Sequence, residues 1–212
     1  MPRKITFTRE EIINAAFEIF QKEGMVGISA RKIAAALDCS TAPVYTSFSN
    51  IEDVRQALLE KSLELLRTYT EKEYTANIFL NIGVGLLEFA KDYGIIYRAL
   101  FIEHGYYQDI LEEVTAKNLE RMKKEASLSL LTEEDKRKIL DKMTIYTHGL
   151  ACCICAGKLK DTSREGLIHN LDEVGGDIIG ATIMRKHMPK DFDKLNGGKC
   201  HEKDRDHQQY DG

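Results

Sequence analysis

The sequence predicts an all-α protein. Apolar residues recur three and four positions apart along nearly the whole chain, which is the spacing that places them on one face of a helix. Only 3 prolines occur in 212 residues, and no long run alternates β-branched with polar residues as a strand would. A hydrophobic content of 43% and a charged content of 30% are ordinary for a soluble globular protein, so the helices are expected to bury a common core.

The first fifty residues differ from the rest in charge. Residues 1–50 hold six basic and five acidic side chains, whereas the whole chain has a formal net charge of −4. A weakly basic segment on an acidic body is compatible with nucleic-acid binding by that segment. No apolar run is long enough to span a bilayer, and the start MPRKITF lacks the apolar stretch of a signal peptide. With 5 cysteines and no export signal, we expect a cytoplasmic protein without a membrane partner.

The stretch ISARKIAAALDCSTAPVYTSF predicts two short helices joined by a tight turn. Ser29 can cap the first helix, and Asp38 in the turn is a residue type that tolerates left-handed backbone. Pro43 fits the first turn of a second helix that begins at Ser40 or Thr41, because N–H groups there have no intrahelical partner. This arrangement is typical of a helix-turn-helix, whose second helix meets base edges in the major groove.

Capping patterns predict one more helix on either side of this pair. Thr8 and Glu11 form a capping box that starts a first helix, which Gly24 would end in a left-handed conformation. Asn50 caps a fourth helix that is predicted to run to about residue 70. The helix-turn-helix is therefore expected to sit between two longer helices.

Taken together, TREEIINAAFEIFQKEG, ISARKIAAALDCSTAPVYTSF and NIEDV resemble the DNA-binding domain of TetR-family (tetracycline-repressor-like) transcriptional regulators. The resemblance covers roughly residues 6–55. The sequence departs from the family's pattern at Asp38, where glycine is usual, and at Ile51, where a basic residue is usual. The resemblance implies about nine helices, a homodimer that binds a palindromic double-stranded DNA operator, and release by a small-molecule effector.

The resemblance also implies which residues face DNA. Arg31 would reach a base edge or a phosphate, and Tyr45 would donate its hydroxyl to a phosphate. Arginine suits paired hydrogen bonds to guanine, while alanine and proline offer apolar contact to a thymine methyl. The predicted DNA-binding residues are Ser29, Arg31, Thr41, Ala42, Pro43, Tyr45 and Ser47.

Five further helices are predicted after the fourth. Their predicted bounds are residues 74–93, residues 95–104, residues 107–126, a segment from the cap Thr132 to Gly157, and a segment from the cap Thr162 to just before Pro189. We therefore predict a helix-turn-helix DNA-binding domain over residues 1–49, a helical effector-binding and dimerisation domain over residues 50–189, and a mobile polar tail over residues 190–212.

The last helix is expected to form a dimer interface. It contains four glycines, although glycine costs about 1 kcal/mol relative to alanine inside a helix, and this favours close approach of another helix. The resemblance implies that the last two helices pack against their copies as a four-helix bundle, and tight packing within one chain is the alternative. The predicted interface residues are Leu171, Val174, Gly176, Ile178, Gly180 and Ile183.

Helices four to eight are expected to enclose the effector site. Ligand pockets are mostly apolar with a few polar anchors, and this segment is rich in aromatic and methionine residues, although each such residue is more often plain core than pocket lining. Because these apolar stripes contain no cluster of basic residues, a largely apolar or weakly polar ligand is favoured. The predicted lining residues are Ile82, Leu86, Phe89, Phe101, Asn118, Met122, Met143, Tyr146 and Thr147.

His148, Cys152 and Cys155 fall at positions i, i+4 and i+7 of the eighth helix, along one face. Three such ligands could hold zinc or another thiophilic metal, although structural zinc sites use four. Free cysteine also packs as a small hydrophobe. We favour packing and predict neither metal nor cofactor, and a metal- or thiol-sensing regulator is the alternative function.

Catalytic motifs do not emerge from the sequence. It contains no glycine-rich phosphate loop after a strand, no nucleophile elbow, and no helical histidine pattern with spaced carboxylates. We therefore predict no catalytic residues and a protein that is not an enzyme. A helical enzyme or interaction module is the alternative from a different class, and it would leave the order of residues 28–48 unexplained.

Overall fold

The computed structural model describes residues 7–103, 107–124, 128–129 and 131–187, with the side chains of 107–114 and 187 left aside. The described residues form nine α-helices and no strand, which confirms the predicted all-α fold. None of these helices is both long enough and apolar enough to cross a bilayer. The helices are α1 (Arg9–Glu23), α2 (Ala30–Ala36), α3 (Ala42–Ser47), α4 (Ile51–Thr70), α5 (Ile78–Asp92), α6 (Gly94–Arg98), α7 (Tyr107–Lys123), α8 (Glu133–Cys155) and α9 (Arg164–His187).

The predicted bounds of α1 are confirmed by its caps. The Thr8 hydroxyl accepts a hydrogen bond from the Glu11 N–H (3.2 Å), and the Glu11 carboxylate accepts one from the Thr8 N–H (2.7 Å). Gly24 follows the last helical residue with a φ of +72°, a value that favours glycine. Met25–Gly27 then forms a 3-10 turn that leads into the helix-turn-helix.

The turn between α2 and α3 has the predicted geometry. The Ser29 hydroxyl accepts a hydrogen bond from the Lys32 N–H (3.3 Å) and so caps α2. Asp38 has a φ of +48°, and it is the only non-glycine residue with positive φ in the described part of the chain. Pro43 lies in the first turn of α3, as predicted.

α5 begins four residues later than predicted. The prediction placed its start at residue 74, but Asn77 is the capping residue, and its side chain accepts the Leu80 N–H (2.9 Å). The N–H groups of residues 74 and 75 bond instead to the Asn81 Oδ1, at 3.2 and 2.7 Å. Side chains that capture nearby backbone groups compete with the helix, and apolar spacing does not reveal that competition.

Two boundaries around α6 and α7 also differ from the prediction. α6 ends at Arg98 rather than at residue 104, because the chain widens there into the π-helical turn Ala99–Glu103. α7 ends at Lys123, three residues short of its predicted end. The break predicted at residues 104–105 lies outside the described residues.

The last two helices begin at side-chain caps. The Thr132 hydroxyl caps α8 by accepting the Asp135 N–H (3.2 Å), as predicted. α9 starts one residue later than predicted, because Ser163 and not Thr162 is the cap: its hydroxyl accepts the Gly166 N–H (3.1 Å). The predicted polar tail, residues 190–212, lies outside the described residues.

α4 packs into both parts of the molecule. Val54 and Leu58, in its first half, are fully buried in the core that includes α1. Its second half packs along α5, which also contacts α7, α8 and α9. α5 approaches α4 closely at Gly85, where a Cβ would overlap the Tyr69 carbonyl oxygen. The predicted division between residues 49 and 50 therefore precedes a helix that joins the two parts within one continuous core, and that division stays a prediction.

We expect Gly85→Ala to destabilise the protein by about 1–3 kcal/mol, because the added methyl group has to push α5 away from the end of α4. Gly149→Ala is the matched control. Gly149 lies inside α8 with nothing within 4 Å of an added Cβ, so its replacement should raise the free energy of unfolding by up to about 1 kcal/mol. Urea unfolding followed by circular dichroism measures both. Equal stability of Gly85→Ala and wild type would contradict the close contact between α4 and α5.

Candidate nucleic-acid interface and ligand cavity

α3 presents small and aromatic side chains to solvent. Its inward residues, Val44 and Phe48, are 0% and 3% exposed, so the opposite face of the helix points outward. Thr41 and Ala42 are exposed at the N-terminal end, and Tyr45 is 56% exposed although it is a large aromatic residue. A helix with a free, uncharged face of this kind can enter the major groove without a desolvation penalty for buried charge.

Arg31 is a predicted DNA-binding residue whose side chain is accessible. It is exposed on α2 and makes no hydrogen bond or ion pair with any residue that the structure describes. Its neighbour Lys32 is ion-paired with Glu23. Pro43 is half-buried at the start of α3, and the Ser29 hydroxyl is engaged in capping α2.

Ser47 lies at the far end of α3, where Arg9 holds the helix in place. The Arg9 guanidinium donates a hydrogen bond to the Ser47 carbonyl oxygen (3.0 Å) and stacks over the Phe48 ring, 4.0 Å from its centroid. Through these two contacts, Arg9 at the start of α1 positions the C-terminal end of α3. Ile51 is half-buried and packs against the core.

A cavity of about 250 Å³ lies in the body between α4, α5, α7, α8 and α9. Three predicted residues do not line it. Phe89 is fully buried against the rings of Tyr69 and Tyr93 (centroid distances 5.7 and 5.6 Å), Met122 is fully buried, and Tyr146 packs against the core. Helical spacing identifies a buried face but not which buried residues border an open volume. The predicted residues that do line the cavity are Ile82, Leu86, Phe101, Asn118, Met143 and Thr147.

A buried polar pair reaches the cavity from α6 and α8. The Tyr97 hydroxyl lies 2.6 Å from the His148 Nδ1, and Tyr97 is fully buried although both residues line the cavity. The Phe101 ring packs against Tyr97, with 4.7 Å between centroids. Burial lowers the pKa of His148, so the imidazole is held in its neutral form. The pair is therefore a polar contact between α6 and α8 in the otherwise mostly apolar cavity wall.

The three-ligand metal site considered from the sequence does not form. Cys152 Sγ lies 3.7 Å from His148 Nε2, but Cys155 Sγ points to the carbonyl oxygens of Ala90 and Gly94, at 3.7 and 3.8 Å. Burial also raises the pKa of the Cys155 thiol, which disfavours the thiolate that a metal needs. Among the described residues, no group of three histidine, cysteine or acidic side chains is arranged to hold a metal.

Three cations in the cavity wall were missed by the sequence argument, which found no basic cluster. Arg67 comes from α4, whereas Lys117 and Arg121 come from α7. They lie on the more polar edges of their helices and not in the apolar stripes used for the prediction. Only the packing of α7 across the end of α4 brings them together.

α8 and α9 expose small and apolar residues along their outer faces. On α9, an added Cβ at Gly176 or Gly180 would meet nothing within 4 Å. On α8, Ile145 is 74% exposed, and an added Cβ at Gly149 would also meet nothing. Leu171, by contrast, is 1% exposed and lines the cavity, so it is buried within its own chain. Three more residues of the predicted interface are half-buried and pack against the chain's own core: Val174, Ile178 and Ile183. The interface stays a prediction.

Comparisons with known proteins identify a match for an N-terminal segment and a similar fold for most of the chain. Residues 12–58 match a family model described as bacterial regulatory proteins, tetR family. The fold is similar to the crystal structure of a TetR-like transcriptional regulator from Rhodococcus sp. RHA1, with a TM-score of 0.57. The alignment covers 78% of this chain and 92% of that one at 14% sequence identity, so this likeness speaks for the fold alone. Among curated proteins, none matches this sequence.

We expect the protein to lose stability as the pH falls below about 6.5, because unfolded histidine takes up a proton there while His148 resists it. His148→Gln should flatten this part of the stability curve. His169→Gln is the control, since the His169 side chain is 78% exposed, and it should leave the curve unchanged. Urea unfolding at a series of pH values measures the slopes. The same slope in wild type and His148→Gln would show that His148 is not held neutral.

Proposed function

Since this chain belongs to the TetR family of transcriptional regulators, we propose that it binds a palindromic DNA operator as a homodimer and is released by a small-molecule effector. The protein would then act as a repressor in the cytoplasm. The observation that carries the proposal is α4, which supports the helix-turn-helix at one end and lines the cavity at the other.

DNA binding by α3 is supported by its outward face. Ala42 and the exposed ring of Tyr45 offer apolar and hydroxyl contacts, and Arg31 on α2 has its guanidinium free for a base edge or phosphate. Arg9 and Lys32, two other cations of the described part of the head, have partners within the protein. Affinity for DNA is therefore expected to depend strongly on Arg31.

A dimer is supported by the exposed faces of α8 and α9. Ile145 on α8 and Gly180 on α9 leave an open surface on which a second copy of the two helices can pack closely, and Gly176 lies between this surface and the cavity wall. A helix-turn-helix regulator needs two heads to occupy half-sites about 34–36 Å apart. Pairing through α8 and α9 would supply them.

Effector release is supported by two connections between cavity and head. On α4, Leu66 lines the cavity two turns beyond Leu58, which is buried in the core of the head. On α6, Tyr97 lines the cavity, while Ile95 lies beside Gly24 at the end of α1. A ligand that shifts α4 or α6 would therefore change the placement of the head. By linkage the ligand and DNA would then change each other's affinity by the same factor, and release requires that this factor be a weakening.

Arg31→Ala is expected to weaken operator binding by about 1–3 kcal/mol and to reduce its salt dependence if the contact is to phosphate. Tyr45→Phe should weaken binding by about 0.5–1.5 kcal/mol without changing the salt slope, because only a neutral hydrogen bond is lost. Arg137→Ala, which removes an exposed arginine on α8, serves as the control. Fluorescence anisotropy with labelled DNA across a salt series distinguishes the three. Unchanged affinity in Arg31→Ala would refute this docking of the head.

Gly176→Phe and Gly180→Phe are expected to convert a dimer at micromolar concentration into monomers that bind operator DNA weakly, because the added rings would hold the two copies apart. Ala116→Phe, at an exposed position of α7, is the matched control and should stay dimeric. Sedimentation velocity gives the oligomeric state. A monomeric wild type would refute both the interface and the two-headed mode of DNA binding.

A further inference from the structure

Arg121 lies where the cavity meets the C-terminal end of α4. Its guanidinium donates hydrogen bonds to the Thr70 carbonyl oxygen (3.4 Å) and to the Glu71 carboxylate (3.3 Å). The Arg121 side chain is only 25% exposed, whereas that of Glu71 is 62% exposed. An ion pair with so exposed a partner is worth little, since water and salt screen it. Arg121 is therefore a partly buried cation whose present carboxylate is easily exchanged.

A second donor stands beside Arg121 in the cavity wall. Asn118 precedes it by three positions on α7, which places both side chains on the same face of the helix. Asn118 is 9% exposed and forms no hydrogen bond with any group that the structure describes. Its amide atoms are not fully enclosed, so they remain open to a ligand in the cavity. Asn118 and Arg121 together offer N–H donors to one oxygen-bearing anion.

The remainder of the wall is apolar. It is formed mainly by aliphatic and aromatic side chains from several helices, including Leu63, Leu80, Ile82, Leu86, Phe101 and Leu140. A ligand with charges at both ends would bury one of them against these side chains without a partner. A molecule with one anionic end and an apolar body would place the anionic end at Asn118 and Arg121 and bury the body against these apolar side chains.

One guanidinium in the wall has a carboxylate partner that is easily exchanged. Arg121 pairs with the exposed Glu71, whereas Arg67 pairs with Glu64 (3.0 Å). The guanidinium has the fork geometry that pairs with a carboxylate through two hydrogen bonds. In the less polar interior of the cavity, such a pair is stronger than the exposed one with Glu71.

We propose that the effector is an amphipathic monocarboxylate, whose anionic group displaces Glu71 from Arg121 and bonds to Asn118 while its apolar part fills the cavity. This inference rests on the proposed effector function and specifies its ligand class. Because Glu71 and Thr70 terminate α4, the exchange changes the contact between α7 and the helix that carries the head. The anionic group of the ligand would therefore act directly on the contacts at the end of α4.

The test is calorimetric titration of the full chain with octanoate and with 1-octanol, which share an apolar chain and differ in the anionic group. Octanoate should bind wild type about tenfold or more tightly than octanol, the effect of a charge-assisted hydrogen bond. Arg121→Gln should abolish this preference, and Arg121→Lys should retain part of it. Glu71→Gln should tighten octanoate and not octanol, because the competing carboxylate is gone.

Lys123→Gln is the matched control. Lys123 lies on the same helix but pairs with Glu120 and Glu133 outside the cavity wall, so this variant should keep the wild-type preference. Leu86→Trp, which fills the cavity, should weaken both probes. Equal affinity of wild type for octanoate and octanol would overturn the proposal, as would a preference that survives Arg121→Gln or binding that ignores Leu86→Trp.

Failure of this inference is distinguishable from failure of the proposed function by adding operator DNA. An uncharged cavity ligand that releases DNA, together with no preference for octanoate, would refute the anion site and leave the effector function standing. A clear preference for octanoate with no change in DNA affinity would support the anion site and refute effector release.

Discussion

The two ends of α4 pack against different helices of one continuous core, and the remaining features of this protein depend on that constraint. Val54 and Leu58 bind the helix to α1 and the helix-turn-helix, while the close approach at Gly85 binds its other end to α5. A stiff helix of 20 residues cannot move at one end without moving at the other. The placement of α3 is therefore set by whatever occupies the space beside the second half of α4.

The cavity uses that constraint through two kinds of contact. Its apolar wall binds by area and shape, which tolerates many molecules, whereas directional donors discriminate among them. Arg121 belongs to the second kind and contacts the end of α4 at the Thr70 carbonyl oxygen and the Glu71 carboxylate. Tyr97 lines the same cavity from α6, which also contacts α1 in the head. Polar groups of the cavity wall thus lie on or against the helices that contact the head.

The three side chains considered as metal ligands are drawn apart at the corner between α5 and α6. There Cys155 faces the carbonyl oxygens of Ala90 and Gly94, and His148 turns one ring nitrogen toward Tyr97. Three potential ligands on one face of a helix converge only if their side chains have no better partners in neighbouring helices. Packing around α8 provides such partners for Cys155 and His148, and these side chains therefore form part of the interior of the body.

The sequence by itself determined the local elements: the capping box at Thr8, the left-handed Asp38 and the inward Val44 and Phe48 follow from backbone and side-chain chemistry within a few residues. Periodicity also identified most of the buried faces of the body. It could not separate Phe89, enclosed by aromatic rings, from Phe101, which borders the cavity, because an open volume is defined by several helices at once. The tertiary structure alone decided that Arg121 meets the end of α4, since 50 residues of chain separate Arg121 from Glu71 and no local rule relates them.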